Sequence, residues 1–349
     1  MTLWCWLVST TPCSKVFMTV RAVLLLFLFA LSGVAVAQEA QPAPAQAPAT
    51  QTSSPSDTPK AEPEKTPTVD LTPDANGGLS QEQMMELFRI VADKDMENDK
   101  RSRDYTYTER DVENDLDGKG QTKKTETKTY DVLEIYGEQV QRLIAKDDKP
   151  LDAKDAAKEE EKIQKIIDKR RNESEQDRKK REEKEEKDRE DGRKFIKEIA
   201  DAFNFKLIGT ELVGGRESWV IEGEPRPGFQ PHMKFADKLP KFHGRVWIDK
   251  ADLEMSKLDV EALDTISFGL VLARLHKGTR FMLEQTRVND EVWLPRHVTF
   301  KFDARVALFK GYKMDGEQTF SDYKKFGTSS KIVGFSGNLS EPIAVPPHR

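Results

Sequence analysis

The sequence predicts a mainly β, α+β protein: a curved antiparallel half-barrel sheet of about 10 to 11 strands, closed by helices and interrupted by a long charged helical insertion. Three observations predict this fold class. Apolar and polar residues alternate with a period of two through most of residues 105–326, as in strands that bury one face. Short turns join these segments, so neighbours in sequence should pair antiparallel. Strand-helix-strand units do not recur at regular spacing, which argues against a parallel α/β enzyme.

The N-terminal part of the chain is predicted to be a secretory leader followed by a linker. Within residues 1–37, Arg21 precedes an apolar run of ten residues, and an Ala-Val-Ala cleavage site ends at Ala37. These features are typical of a signal peptide. We expect cleavage near Ala37 and a mature chain that is periplasmic or secreted. Residues 38–79 are rich in Pro and Ala and should form a disordered linker, because they bury little apolar surface.

Composition narrows the classes of function. The chain has 349 residues, and its two cysteines, Cys5 and Cys13, lie in or before the leader, whether translation begins at Met1 or at Met18. The mature chain therefore has no disulfide, no thiol nucleophile and no cysteine-ligated zinc. It keeps 54 basic and 61 acidic residues, a net charge of −7. This balance does not favour nucleic acid as a partner.

The ordered domain is predicted to begin with a helix and three strands. Ser80 and Gln83 form a capping box, and apolar residues with helical spacing follow it. The polar run 93–103 is expected to end this helix. The first strand then runs from residue 105 to a turn at 117–120, the second covers 122–136, and the third covers 140–145.

A charged insertion, residues 152–194, interrupts the β pattern of the predicted domain, residues 80–326. Of the 41 positions in 154–194, 31 are charged, 16 of them basic and 15 acidic. A helix that is polar on every side projects into solvent or is marginally stable. Charge pairs such as Glu161 and Lys165 support it only weakly. We therefore predict a solvated helix, with a partner-binding arm as the alternative.

The β pattern resumes after this insertion and continues to about residue 326. Helices around residues 80–98 and 195–203 are expected to close the inner face of the sheet, and residues 327–349 are expected to form a loose tail. The predicted strands are 206–213, 216–223, 243–249, 253–262, 270–276 paired with 279–288, 292–294, 298–308 and, after a turn at Met314-Asp315-Gly316, 317–323.

The sequence carries no pattern of a catalytic or cofactor site. It lacks the Gly-rich nucleotide loops, the paired-histidine metal motif and the nucleophile elbow, and its five histidines are not spaced as ligands. The segment that begins at Glu113 looks like a calcium loop, but its twelfth position is Lys124, where that loop needs a bidentate Glu. We expect no enzyme activity, no cofactor and no metal site. A hydrolase is an alternative that no residue supports.

Several short phrases resemble those of one family. Phe242–Asp249 reads F-H-G-R-V-W-I-D, Val292–Pro295 reads V-W-L-P before a long strand, and Phe320–Tyr323 reads F-S-D-Y in the last strand. Together with the opening strand at 105–109 and the run 130–142, these phrases are similar to the outer-membrane lipoprotein-sorting (LolA/LolB-like) superfamily. The resemblance covers roughly residues 80–326 and implies a half-barrel of antiparallel strands around helices, with an apolar cavity for acyl chains.

The resemblance also implies a function and a site. We expect an exported, non-catalytic carrier or sensor that binds a lipid or the acyl chains of a lipoprotein. An envelope protein is a further candidate partner, through residues 154–194. The alternative is a structural or interaction protein that uses the charged helix to dock a partner. The residues expected to line the cavity, unless they form a filled core, are Phe300, Phe302, Val306, Leu308, Val246, Ile248 and Trp219.

Overall fold

The structure, a computed structural model, describes residues 71–72, 78–136, 138–233, 236–268, 273–306 and 310–326. The predicted signal peptide, most of the predicted linker and the predicted C-terminal tail lie outside the described residues. Leu71 and Leu79 fall within the range assigned to the linker, and both pack against the main hydrophobic cluster. These two residues therefore contact the packed domain.

The predicted fold class is confirmed: in the described residues, thirteen strands form one antiparallel sheet that is curved and not closed into a barrel. The helices are α1 (Gln81–Ser102), α2 (Ala153–Arg171) and α3 (Glu175–Ala202), with a 3-10 helix at Ala236–Lys241. The strands are β1 (Tyr105–Leu116), β2 (Thr122–Ile135), β3 (Glu138–Lys146), β4 (Lys149–Pro150), β5 (Phe203–Val213), β6 (Arg216–Pro225), β7 (Phe242–Asp249), β8 (Met255–Ala262), β9 (Ile266–Phe268), β10 (Ala273–Leu275), β11 (Arg280–Val288), β12 (Val292–Val306) and β13 (Lys310–Lys325). They lie in the order β4-β3-β2-β1-β13-β12-β11-β8-β7-β6-β5, and β10 pairs with β12 and β9.

Two-residue turns fix several of these antiparallel neighbours. Both turn residues have positive φ at Asp147 and Asp148 (48° and 57°), and again at Asn289 and Asp290 (51° and 58°). This is the type I′ geometry, whose twist matches that of the flanking strands. Asn and Asp reach it at less cost than other residues with a side chain. The turn chemistry in the sequence therefore sets the order of strands locally.

The helix α1 begins where the capping box predicts. The backbone N–H of Gln83 donates to the Ser80 hydroxyl at 3.1 Å, and the backbone N–H of Ser80 donates to Gln83 Oε1 at 2.9 Å. The helix continues through most of the polar run that was expected to end it. It does so because Asn98 is anchored to the sheet: its amide donates to the Trp293 carbonyl at 2.6 Å and its carbonyl accepts the Trp293 N–H at 2.7 Å.

The charged insertion forms two helices rather than one, α2 and α3. Each has its own capping side chain, Asp152 for α2 and Ser174 for α3. At the turn between them, the Glu173 carboxylate accepts a hydrogen bond from Arg170 at 3.1 Å and another from Arg181 at 3.1 Å. One acidic side chain therefore ties the end of α2 to the first turns of α3.

The two helices differ in how they meet the sheet. The α2 helix lies against β3, where its Glu159 carboxylate accepts the backbone N–H of Leu143 at 3.2 Å and its Ile163 is buried. The last turn of α3 enters the main hydrophobic cluster through Ala202, with Phe195 and Ile199 packed beside it. Among the described residues, no helix has both the length and the apolar character that crossing a bilayer requires.

The predicted turn at Met314-Asp315-Gly316 is wrong, because these residues lie inside β13. Phe302 pairs with Met314 and Phe300 pairs with Gly316 in the β12–β13 register. A Cβ atom at Gly316 would lie 2.3 Å from the Val112 carbonyl oxygen and 2.7 Å from the Phe300 ring. Glycine is needed there for a close approach of backbone and ring, not for a turn.

The predicted pairing of residues 270–276 with 279–288 is also wrong. The short strand β10 pairs with β12 and with β9, whereas β11 pairs with β8 and β12. Ala273 faces Val306 and Leu275 faces Ala304 in this arrangement. The strand β12 continues past the end of β11, so its extra length is available to β10. The alternation of apolar and polar residues within each segment does not reveal that β12 has β10 as a third pairing partner.

Candidate functional site: the inner face of the sheet

The inner face of the sheet is the face against which α1 packs. Paired residues in an antiparallel sheet share a face, so the strand registers trace one row of apolar side chains across six neighbouring strands. We call it the apolar row. It spans five inter-strand spacings, ~24 Å along the sheet. Its members, in order from β5 to β12, are Leu207, Ile221, Val246, Leu258, Leu283 and Val298.

The part of the inner face on β5, β6 and β7, here the covered half, is filled by helices. Met84 and Leu87 of α1 are fully buried against it, together with Leu239 of the 3-10 helix. Phe88 of α1 packs against Phe205 of β5, with the ring centres 4.3 Å apart and the ring planes tilted by 43°. This half is a packed hydrophobic core.

The part on β1, β8, β11, β12 and β13, here the aromatic half, has a different character. Phe281 lies opposite Phe300 in the β11–β12 register, and Phe320 packs beside Tyr107 with ring centres 5.9 Å apart. Phe300 and Phe302 are only half-buried, although they share the inner face with the fully buried Val298. The aromatic half therefore presents apolar side chains that the described residues only partly cover.

The predicted cavity-lining residues divide between these two halves. Trp219, Val246 and Ile248 belong to the covered half, where they pack in the main cluster. Phe300 and Phe302 belong to the aromatic half. The backbone of Val306 pairs with Ala273 and Lys310, and Leu308 lies outside the described residues. That any of these residues contacts a ligand stays a prediction.

Sequence reasoning missed a polar cluster on the inner face, which we call the acceptor cluster: Glu109, Asp111 and Gln318. They are 0%, 3% and 1% exposed. The Gln318 amide donates to Glu109 Oε1 and to Asp111 Oδ1, each at 3.1 Å, and Gln141 donates to Glu109 Oε2 at 2.9 Å. The signal was in the first strand, where Glu109 continues the alternation of Tyr105 and Tyr107 and so shares their buried face.

The two carboxyl groups of the acceptor cluster resist ionisation. Burial raises the pKa of Glu109 above its usual 4.5, and the charge of Asp111 raises it further. Burial also raises the pKa of Asp111 above its usual 3.8, although its hydrogen bonds with Glu109 and Gln318 act to lower it. Two coupled carboxyl groups on an apolar face therefore keep one proton and one negative charge between them near neutral pH.

The acceptor cluster lies at the end of the apolar row. Val298, the last residue of that row, pairs with Gln318 of β13, and Gln318 pairs with Asp111 of β1. The same line of side chains thus changes from apolar to polar within two strand spacings, roughly 10 Å. This geometry suits a ligand with a long apolar part and a polar end.

A second polar network fixes the rim where α1 meets the sheet. Arg216 donates to both carboxylate oxygens of Asp249, at 2.7 and 2.8 Å, and lies 3.0 Å from Asp252. Asp252 also accepts from Trp293 Nε1 at 3.1 Å and pairs with Arg287 at 3.1 Å. Two of the phrases that carry the family resemblance, those with Asp249 and Trp293, meet here. The bidentate contact between Arg216 and Asp249, extended through Asp252, gives this network a structural role.

An open depression of about 380 Å³ lies mainly on the opposite, outer face. Among its lining residues are Thr299 and Lys301, which alternate with Phe300 and Phe302 along β12 and so point away from the inner face. Within the part of the chain that the structure describes, no group of three or more His, Cys, Asp or Glu side chains is arranged to hold a metal ion. The full lining of the depression is Val112, Asn114, Arg280, Thr299, Phe300, Lys301, Asp315, Gly316 and Glu317.

This chain is similar to known proteins in structure only. No protein-family model matches the chain, and no curated protein matches it. The fold is similar to a crystal structure of an outer membrane lipoprotein-sorting protein domain from Vibrio parahaemolyticus, with 14% identity, a TM-score of 0.27, and coverage of 70% of this chain and 95% of the other.

Two further solved structures are similar. A LolA superfamily protein from Nitrosomonas europaea shares 6% identity at a TM-score of 0.19, covering 64% of this chain and 86% of its own. MucB in the MucA/MucB complex of Pseudomonas aeruginosa shares 8% identity at a TM-score of 0.19, covering 68% and 93%. These structures include proteins of the superfamily that the sequence resembles.

Proposed function

We propose that this protein is an exported periplasmic protein that binds a lipid, or the acyl chains of a lipoprotein, on the inner face of its sheet, as a carrier or sensor without catalysis. One observation carries the proposal: the apolar row leads from the covered half into the aromatic half, where Phe300 and Phe302 stay half-buried. Large apolar side chains left accessible on a concave face are the usual lining of a ligand site.

The energetics of such a site are sufficient for acyl chains. Each methylene removed from water contributes about 0.8 kcal/mol. A chain that covers the exposed parts of Phe300, Phe302 and Leu258 would bury these side chains as well as its own. The covered half then has a separate task, which is to hold the curvature of the sheet.

The test combines an extract with a matched pair of variants. Mass spectrometry of an organic-solvent extract of the purified mature chain is expected to show a lipid, and calorimetry is expected to show binding of decanol. The Phe302→Ser variant removes inner-face apolar area and should weaken decanol binding about tenfold, since a buried Phe contributes about 1.5–3 kcal/mol. Lys301→Ser, its neighbour on the outer face, should bind as the wild type does. A lipid-free extract together with no decanol binding would refute the proposal.

A second candidate function is the docking of an envelope protein through the charged surfaces of α2 and α3. The observation that favours it is the Glu173 contact with Arg170 and Arg181, which ties the end of α2 to the first turns of α3. Solvated charge alone does not require such a clamp. Reversing the exposed charges Lys179, Lys180 and Lys184 of α3 to Glu should abolish salt-sensitive cross-linking to a periplasmic protein while leaving decanol binding unchanged.

A further inference from the structure

The acceptor cluster has hydrogen-bonding capacity that the described residues do not fill. Asp111 Oδ2 and Gln318 Oε1 are buried, and neither has a hydrogen-bond donor among those residues. The available donors are already engaged: the Gln318 amide serves both carboxyl groups, and the Gln141 amide serves Glu109. An unmet acceptor in an apolar environment is costly, roughly 1–3 kcal/mol. The cluster can therefore accept further hydrogen bonds from a donor.

The charge of the cluster points to the kind of donor. Glu109 and Asp111 share a hydrogen bond, which requires a proton on one of them. One negative charge then remains on a buried face. The facing cation is Lys128, which pairs with Asp111 in the β1–β2 register and lowers the pKa of Asp111. Its ammonium contacts Glu126 at 2.9 Å, however, and among the described residues no ion pair within 4 Å joins either carboxylate to a cation. A buried charge without a directly bound counter-charge is unfavourable. A neutral donor would fill the free acceptors and leave this charge in place.

We propose that the acceptor cluster binds the ammonium group of an amine-bearing lipid whose chain lies on the aromatic half. This deepens the proposed function and rests on it. A primary ammonium carries three donors and one positive charge. It can donate to the unpartnered Asp111 Oδ2 and Gln318 Oε1 and neutralise the carboxylate. Anionic head groups are repelled by the same cluster.

The position of the cluster fits this ligand. Gln318 pairs with Val298 at the end of the apolar row, and Glu109 pairs with Phe320 of the aromatic half. An ammonium bound there lies beside the rings of Phe320 and Tyr107, and aromatic faces also favour cations. One end of the ligand is thus recognised by charge and donors, and the other by apolar contact.

The first experiment compares ligands that differ only in the head group. Decylammonium, decanol and decyl sulfate are titrated calorimetrically into the full mature chain below their aggregation concentrations at pH 7.5, where a primary amine with a pKa of ~10.4 is protonated. The wild type is expected to bind decylammonium at least tenfold more tightly than decanol, and decyl sulfate more weakly than both. Asp111→Asn should abolish the preference for the amine. Asp115→Asn, an exposed carboxylate further along the same face, is the matched control and should keep the preference.

The outcomes separate the inference from the proposed function. Equal affinity of the wild type for decylammonium and decanol, as expected if a water molecule fills the site, overturns the ammonium site and leaves lipid binding intact. A preference that survives in Asp111→Asn also overturns it. Binding of neither ligand overturns the proposed function and this inference with it. Butylammonium binding as tightly as decylammonium would exclude a lipid as the ligand.

A second measurement needs no variant and therefore does not depend on Asp111→Asn folding. With a water-soluble carbodiimide, bound decylamine should couple to a carboxyl group of the cluster, forming an amide as the carbodiimide takes up the elements of water and becomes a urea. Peptide mapping is expected to place the decylamide at Glu109 or Asp111, and decanol should compete it away. Adducts confined to exposed carboxylates such as Asp115 would refute the site.

Discussion

The covered half and the aromatic half of the inner face are made by the same alternation of side chains, yet they are completed differently. In the covered half, α1 supplies Leu87 and the end of α3 supplies Ala202, and both residues are fully buried. In the aromatic half, Phe300 and Phe302 remain half-buried, and the row ends in carboxyl groups and an amide. One half is a finished core, whereas the other keeps apolar and polar groups that a second molecule can complete.

This difference shows how a single sheet can separate stability from binding. A side chain that is fully buried in the folded protein contributes its whole transfer free energy to folding. A half-buried side chain contributes less to folding and keeps the rest for a ligand. Regions used for binding are commonly drawn from the less stable parts of a fold. The comparison therefore predicts which substitutions should reduce stability and which should reduce binding.

The largest expected effect is that of Leu87→Ala in the covered half. Leu87 is fully buried in the main cluster, so its truncation should lower the free energy of unfolding by about 2–5 kcal/mol through lost burial and an incompletely collapsed cavity. Phe302→Ala in the aromatic half should cost less, about 1–3 kcal/mol, since part of its side chain is exposed before a ligand binds. Urea unfolding followed by circular dichroism gives both values. Equal costs for the two variants would contradict a distinction between the halves.

The next effect in size is that of Gly316→Ala, which tests how tightly the aromatic half packs against the backbone of β13 at Gly316. The added methyl would meet the Val112 carbonyl oxygen at 2.3 Å and the Phe300 ring at 2.7 Å. Either β1 or Phe300 must move, at a cost of about 1–3 kcal/mol. Gly311→Ala, on the same strand, meets nothing within 4 Å and should change stability by less than about 1 kcal/mol. Unfolding of both variants at the same urea concentration would contradict the close approach of Val112 and Phe300 to Gly316.

The covered half could be predicted from the sequence more completely than the aromatic half, for physical reasons. The covered half follows from local rules: a capping box at Ser80, helical spacing to Leu87, and strands that alternate. The aromatic half depends on pairing between segments far apart in sequence, such as Asp111 with Gln318. The acceptor cluster was missed because alternation assigns Glu109 to the buried face, whereas the usual exposure of carboxylates argues against it.

Other errors have the same origin. Gly316 was taken for a turn residue because glycine after Asp usually marks one, and only the approach of Phe300 and Val112 shows its actual role. The break of the charged insertion at Glu173 was also missed. The capping residue Ser174 signals it, but a long polar helix and two shorter ones have nearly the same composition. Pairing and breaks of this kind depend on contacts that periodicity does not encode.

The smallest expected effect concerns the pH dependence of stability, which compares the acceptor cluster with the rest of the sheet. Burial and the charge of Asp111 raise the pKa of Glu109, so the folded protein keeps a proton that the unfolded chain loses above about pH 4.5. The unfolded state then binds fewer protons, and the free energy of unfolding must fall as the pH rises from 4.5 to the raised pKa. Glu254, whose pKa burial and Asp95 raise to about 7, adds a slope of the same sign. Subtracting the Glu109→Gln profile therefore isolates the share of the coupled Glu109–Asp111 pair that depends on Glu109.

The measurement is urea unfolding at intervals between pH 5 and pH 9 for the wild type, Glu109→Gln and Asp115→Asn. The wild type should lose more stability across this range than Glu109→Gln, whereas Asp115→Asn should follow the wild type. Decylammonium added at saturation should reduce the loss in the wild type, because an ammonium favours the ionised form of the carboxyl pair. Parallel profiles for the wild type and Glu109→Gln would mean that the carboxyl group is already solvated. The inner face would then have no polar end that differs from the surface carboxylates around it.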